Sequence, residues 1–74
     1  MLMTMKPHTP IWEQIRIWRR GKKLSQERLA KLVGVSVRTL WNWETARIRP
    51  SKLALYRFEQ LGLFIQIPPD GRQE

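Results

Sequence analysis

The twenty residues from Ser25 to Glu44, SQERLAKLVGVSVRTLWNWE, constrain the fold of this chain more than any other segment. Ser25 and Ser36 each precede a run of helix-forming residues, and serine is a preferred N-cap because its hydroxyl accepts a hydrogen bond from a free backbone N–H. An apolar residue lies directly before each serine and another lies four positions after it, the spacing of a hydrophobic staple (Leu24 with Leu29, Val35 with Leu40). The segment therefore predicts two consecutive short helices, over about 26–33 and 37–45.

Gly34 lies between these two predicted helices. Glycine is the usual residue for the left-handed backbone conformation that ends a helix and redirects the chain. Two short helices joined by a turn of three or four residues containing glycine form a helix-turn-helix unit. Helical spacing places Leu40 and Trp43 toward the core. It places four residues of the second helix outward: Val37, Arg38, Trp41 and Asn42. An outward tryptophan indicates a contact surface.

Two further helices are predicted, one on each side of this unit. The first should run over about 10–22, because Thr9 can act as its N-cap and Pro10 suits the first helical position. Ser51 should cap the other, over about 52–61, and Gly62 should end it. The predicted core consists of apolar residues at helical spacing: Ile11, Trp12, Ile15, Trp18, Leu29, Ala30, Leu32, Leu40, Trp43, Ala54, Leu55, Phe58 and Leu61, with Val33 as a further candidate.

After Gly62 the apolar pattern changes to alternation, and Pro68 ends it. Alternation predicts a strand, here formed by Leu63, Phe64, Ile65, Gln66 and Ile67. No other segment reads as a strand, and a lone strand would leave backbone groups unpaired. We therefore expect this strand to pair antiparallel with its copy in a second protomer. The alternative is an extension that packs on the chain's own core.

These elements predict an all-α fold, a compact bundle of four to five helices that contains a helix-turn-helix, with a short C-terminal β-strand between protomers. The predicted organisation along the chain is a flexible arm over 1–8, a helical domain over 9–62, a dimerisation strand over 63–68 and a tail over 69–74. A chain of 74 residues has room for one small core, so a partner chain would add stability.

The charge of the chain indicates a polyanionic partner. Lysine and arginine number 14 against 6 acidic residues, which gives a net charge of +8. The excess is uneven: residues 1–24 and 45–57 are strongly basic, whereas residues 58–74 are acidic overall. Basic segments on both sides of a helix-turn-helix favour nucleic acid. A merely solubilising surface fits this uneven distribution less well, and a helix lying on a membrane is a weaker rival because the core needs the apolar positions.

The same composition argues against an enzyme. The chain has no cysteine, a single histidine (His8) and no glycine-rich phosphate loop, so neither catalytic residues, nor a metal site, nor a cofactor is expected. The N-terminal MLMTM is too short for the apolar core of a signal peptide, and no apolar run approaches the length of a membrane span. We therefore expect a cytoplasmic protein associated with the nucleoid.

The runs LSQERLAKLVGVS, NWE and RIRPS resemble the Cro/repressor (XRE) family of helix-turn-helix DNA-binding proteins, over roughly two thirds of the chain. The ending LG followed by an alternating strand is similar to antitoxins of the HipB type. The resemblance implies a homodimer that binds double-stranded DNA at a palindromic operator. It also leaves a second partner open, because an antitoxin would bind a toxin protein and repress its own operon.

Matched onto this chain, the family pattern implies two groups of DNA contacts. The candidates for reading bases in the major groove are Ser36, Val37, Arg38 and Asn42. The candidates for phosphate contacts are Gln26, Thr39, Arg47 and Arg49. Trp41 could pack on a sugar or methyl group, or cover the following loop, and the sequence does not decide between them.

The resemblance also implies a structural role for Arg19 and Glu44, which match a partly buried ion pair rather than catalytic residues. Family members often carry glycine where this chain has Lys23 and Ala46. Three functions follow as hypotheses: a sequence-specific repressor, an antitoxin that also represses its operon, and a basic module that binds protein or RNA.

Overall fold

The computed structural model describes residues 9–66, which form four helices. The helices are α1 (Ile11–Gly21), α2 (Gln26–Val33), α3 (Val37–Glu44) and α4 (Lys52–Gln60). The all-α fold and its helix-turn-helix, formed by α2 and α3, are thus confirmed. None of the helices in this part of the chain combines the length and the apolar character needed to cross a membrane.

Serine side chains cap the start of three helices. The hydroxyls of Ser25, Ser36 and Ser51 accept hydrogen bonds from the backbone N–H three residues later, at 3.0, 3.0 and 3.1 Å. Helix α1 starts differently, and the expectation that Thr9 caps it is wrong. Pro10 is the N-cap, because its ψ of 153° keeps it outside the helix, and no side chain caps this end. The carbonyl of Pro10 still accepts from the N–H groups of Glu13 and Gln14.

The core lies between all four helices and the residues that follow α4. Its fully buried apolar members are Ile11, Ile15, Leu29, Ala30, Val33, Leu40, Trp43, Ala54, Phe58 and Leu63. The rings of Trp43 and Phe58 meet edge to face, with centroids 5.7 Å apart. This geometry suits the quadrupoles of two aromatic rings and joins α3 to α4.

Some predicted core residues lie at its margin or outside it. Leu32 is 50% exposed, so its assignment to the core is wrong. Its position is roughly 100° around α2 from the centre of the face that buries Leu29, Ala30 and Val33. Four others are only half-buried: Trp12, Trp18, Leu55 and Leu61.

A buried glutamine attaches the end of the described chain to α1. Gln14 is 2% exposed, and its Nε2 donates to the carbonyl oxygens of Thr9 (2.9 Å) and Gln66 (2.7 Å). Its Oε1 accepts from the backbone N–H of Gln66 at 2.8 Å. The side-chain amide thus pairs with both backbone groups of Gln66, as a neighbouring strand would. Nothing in the apolar pattern of α1 predicted this role.

Residues 63–66 form no strand within the single chain. Their burial nevertheless alternates: Leu63 is buried and Ile65 half-buried, whereas Phe64 and Gln66 are exposed. Pairing with a second copy stays a prediction. Several predicted segments lie outside the described residues: the arm over 1–8, Ile67 of the strand, Pro68 that follows it, and the tail over 69–74.

Candidate nucleic-acid interface

The turn between α2 and α3 has a geometry that only glycine fits easily. Gly34 adopts φ 88° and ψ 32°, in the left-handed region, and its N–H donates to the carbonyl of Ala30. The Nη1 of Arg57 donates to the carbonyl of Val33 at 2.9 Å and lies 2.6 Å from the place where a Cβ on residue 34 would be. Arg57 therefore caps the end of α2 from α4, and the absence of a side chain on Gly34 allows this contact.

Helix α3 presents one face to solvent and packs the other in the core. Leu40 and Trp43 are buried, whereas Arg38 is exposed and Val37 is 43% exposed near the start of the helix. Asn42, which lies further along α3, is half-buried. The structure therefore places Val37 and Arg38 where a partner can reach them and leaves Asn42 less accessible.

The hydroxyls of Ser36 and Thr39 bond to each other at the start of α3. Ser36 Oγ accepts from the Thr39 N–H and donates to Thr39 Oγ1, both at 3.0 Å. Ser36 is exposed and Thr39 half-buried. In this arrangement Ser36 acts as a helix cap, and Thr39 Oγ1 keeps its own proton for another acceptor.

The loop after α3 brings Arg47 back to the exposed face of that helix. The N–H groups of Arg47 and Ile48 donate to the carbonyl of Asn42, at 2.9 and 3.3 Å. The guanidinium of Arg47 lies 5.2 Å from the centroid of the Trp41 ring, and that of Arg38 lies 5.7 Å from it. Three residues predicted separately as a base reader, a phosphate contact and an uncertain contact therefore form one cluster.

Arg49 occupies a different environment from Arg47. It is half-buried and lines a cavity of about 10 Å³ together with Trp12, Trp43 and the buried Pro50. Its Nη1 is buried and has no hydrogen-bond partner among residues 9–66. The start of α4 follows directly, which holds this part of the loop against the core. Arg49 is therefore less accessible than Arg47, and its role as a phosphate contact stays a prediction.

A hydrogen-bonded carboxylate lies beneath the helix-turn-helix. Glu44 is 3% exposed, and it accepts from Nε and Nη2 of Arg19, at 2.7 and 3.0 Å. Gln26 Nε2 also donates to Glu44, at 3.0 Å, and Arg19 Nη1 donates to the carbonyl of Leu24. This network joins α1, α2 and α3. Both carboxylate oxygens of the buried Glu44 therefore accept hydrogen bonds, as a buried charge requires.

The contact with Glu44 bears on Gln26, for which the family resemblance implies a phosphate contact that stays a prediction. An amide nitrogen carries two N–H groups, so one remains after Glu44 is bound. The sequence gives no signal for this contact, because Gln26 and Glu44 are 18 positions apart and meet only through the packing of α2 on α3.

Two residues other than glycine adopt the left-handed conformation. Lys23 has φ 58° before α2, and Ala46 has φ 65° after α3. Both occupy positions where the resembled family often carries glycine. The backbone thus keeps the turn at each end of the helix-turn-helix, and the side chain adds strain of about 1–2 kcal/mol at each residue. Residues 9–66 contain no cluster of histidine, aspartate or glutamate that could hold a metal ion.

A family model described as Helix-turn-helix matches residues 15–61, which include α2, α3, α4 and most of α1. Neither a curated protein nor a solved structure matches the chain.

Proposed function

Since the chain belongs to the helix-turn-helix family of DNA-binding regulators, as its resemblance to Cro/repressor (XRE) proteins predicts, we propose that it is a sequence-specific repressor. The family consists of regulatory DNA-binding domains rather than enzymes. The observation that carries the proposal is the two-sided character of α3. Leu40 and Trp43 fix the helix in the core, while Val37 and Arg38 remain exposed at its N-terminal end.

The exposed end of α3 would enter the major groove, where each base pair presents a distinct pattern of donors and acceptors. Arg38 would pair with O6 and N7 of a guanine, and Val37 would pack on a thymine methyl group. Asn42 would read an adenine, and its half-burial requires close approach of the helix to the bases. Ser36 would contact the DNA only through the lone pair left by its bonds to Thr39.

Phosphate contacts would hold α3 in register on the duplex. Arg47 would supply the main charge, because it is exposed and lies next to the proposed reading face. The second N–H of Gln26 and the hydroxyl of Thr39 would donate from the starts of α2 and α3. Arg49 would add positive charge to this surface. It would contact a phosphate directly only after leaving its half-buried position.

We further propose that the protein acts as a homodimer formed by the segment that begins at Leu63. Phe64 is 66% exposed, and among the described residues the backbone N–H and C=O groups of Phe64 and Ile65 form no hydrogen bond. Such an edge can pair with its copy across a two-fold axis. Two α3 helices roughly 34 Å apart would then read a palindromic operator on the nucleoid.

Selection from random DNA duplexes tests this function. The wild-type protein should enrich a palindromic sequence, and the Arg38→Ala variant should lose preference at one base of each half-site. A matched Arg16→Ala variant removes a charge from α1 instead of from α3 or the loop after it, and should enrich the same sequence as wild type. If the wild-type protein enriches no sequence, the proposal is wrong and a basic module that binds protein or RNA is favoured.

An antitoxin is the alternative form of this function. Leu53 and Tyr56 on α4 are both exposed, which leaves apolar surface for a partner protein besides DNA. Co-expression of the neighbouring gene tests it. Stable co-purification of its product with this chain would favour the antitoxin, and separate elution of the two proteins would favour a stand-alone repressor.

A further inference from the structure

Trp41 lies on the exposed face of α3 and outside the core. It is 37% exposed, although tryptophan normally buries most of its surface. The core already has Trp43 on the opposite side of the same helix. The position of Trp41 therefore calls for a reason other than packing.

Two cationic side chains from different parts of the chain contact this ring. Arg38 lies three residues earlier on α3, with its Cζ 5.7 Å from the ring centroid. Arg47 comes from the loop after α3, with its Cζ at 5.2 Å. Both distances lie within the range of cation–π attraction, for which tryptophan is the best aromatic partner.

Other cation–π pairs in the described residues are simpler. Arg16 lies over Trp12, both on α1, at 5.8 Å. Lys22, the C-cap of α1, lies over Trp18 of the same helix, also at 5.8 Å. Within residues 9–66, Trp41 is the ring that two cations share. This arrangement links a side chain of the helix to a side chain of the loop.

We propose that Trp41 is a positioning residue for DNA recognition, which holds Arg38 and Arg47 in the conformations that they use on the duplex. The inference rests on the proposed function. A free arginine loses conformational freedom when it docks, whereas a side chain already held against a ring loses less. Because Arg38 and Arg47 share one ring, reading a base and binding a phosphate become energetically coupled.

A double-mutant cycle measures this coupling. Each cation–π contact corresponds to about a two- to fivefold effect on affinity, so Trp41→Leu should weaken binding to the selected duplex by about 4- to 25-fold. Arg38→Met should cost about two- to fivefold less affinity in the Trp41→Leu background than in wild type, and the same should hold for Arg47→Met. Trp41→Phe should retain most of the affinity, because a phenyl ring still offers a π face.

The dependence on salt supplies a second readout that a loss of packing would not change. Trp41→Leu should reduce the slope of log affinity against log salt toward that of Arg47→Met, because the phosphate contact becomes less well placed. Trp41→Gln serves as a second variant, because it replaces the ring by a polar side chain that is suited to an exposed site. Circular dichroism checks that each variant is folded.

The matched control is the cycle between Trp12→Leu and Arg38→Met, which should be additive within about twofold. Additive cycles at Trp41 with both arginines would overturn the inference. If the Trp41 ring only contacted DNA directly, Trp41→Leu would reduce affinity by the same factor with or without each arginine. A wild-type protein that selects no duplex would instead overturn the proposed function. Specific binding with additive cycles would overturn only the role of Trp41.

Discussion

Arg19 and Glu44 form a bidentate ion pair beneath the helix-turn-helix, with Nε to Oε2 at 2.7 Å and Nη2 to Oε1 at 3.0 Å. The carboxylate is almost fully buried, and Arg19 is largely covered as well. One partner belongs to α1 and the other is the last residue of α3. The pair therefore fixes the end of the proposed reading helix relative to the rest of the fold.

Removing one partner of this pair should cost much more stability than removing both. Glu44→Ala should lower the free energy of unfolding by about 3–5 kcal/mol, because it leaves the guanidinium of Arg19 buried and unpaired. The double variant Arg19→Met, Glu44→Leu should recover a large part of that loss. Urea unfolding measures each variant, with Glu59→Gln on the exposed side of α4 as the control. A double variant as unstable as Glu44→Ala would contradict this account.

The left-handed conformations of Lys23 and Ala46 lead to a stabilising prediction. Glycine adopts positive φ without steric cost but loses more conformational entropy on folding. The relief of strain at Lys23 or Ala46 is therefore partly offset, and Lys23→Gly and Ala46→Gly should each raise the free energy of unfolding by about 0.5–1 kcal/mol. Lys22→Gly is the matched control, since Lys22 has φ −89° and glycine there should destabilise the fold. Thermal unfolding followed by circular dichroism compares the three variants. Equal effects of glycine at positions 22 and 23 would show that backbone strain is not the cause.

Gly34 combines positive φ with a close neighbour, so it should not tolerate alanine. Gly34→Ala should lower the free energy of unfolding by about 1–3 kcal/mol, because the new Cβ is strained and also displaces Arg57 from the end of α2. Gly21→Ala is the matched control in α1, where a Cβ has nothing within 4 Å. That control should be neutral or stabilising by about 0.5–1 kcal/mol. Equal destabilisation by both alanines would argue against the role assigned to the turn.

Gln14 should determine whether the segment after α4 stays on the core. Gln14→Glu keeps an acceptor for the N–H of Gln66 but loses both donated hydrogen bonds, and its carboxylate would face two carbonyl oxygens. This variant should lower the free energy of unfolding by about 1–3 kcal/mol. Hydrogen exchange at the Gln66 amide should accelerate more in Gln14→Ala than in a Gln60→Ala control on exposed α4. Unchanged exchange at Gln66 would show that other contacts hold this segment.

Local rules explain which parts of the fold the sequence predicts well. The serine caps, the glycine turn and the burial of Leu40 and Trp43 each depend on residues within about one helical turn. Spacing of apolar residues is less decisive in a helix of eight residues, where Leu32 is apolar but lies roughly 100° around the helix from the centre of the buried face. The sequence therefore predicts that α2 exists and has a buried side, while the exact limits of that side depend on packing.

Contacts between polar side chains and distant residues escape such rules. Gln14 reaches Gln66 across 52 positions, and Gln26 reaches Glu44 across 18. The sequence around each glutamine does not distinguish it from a solvent-exposed glutamine, so the hydrogen-bond partners become known only from the folded structure. The same holds for Arg49, whose half-burial depends on how the loop enters α4. The resemblance to a family supplied the pair of Arg19 and Glu44, which periodicity alone would not have given.

Arg38 and Arg47 should affect DNA binding in different ways, although each change removes one positive charge from the same cluster. Arg38→Ala should reduce the binding free energy for the selected operator by about 1–3 kcal/mol and change that for random DNA little, because a bidentate contact to guanine discriminates between bases. Arg47→Ala should weaken binding to both kinds of DNA alike and lower the salt slope by about 0.9, because a phosphate contact carries no sequence information. Fluorescence anisotropy at several salt concentrations measures both effects, with Arg16→Ala as the control for loss of charge. If Arg38→Ala weakens operator and random DNA equally, Arg38 contacts phosphate, and the reading face of α3 must be assigned to other residues.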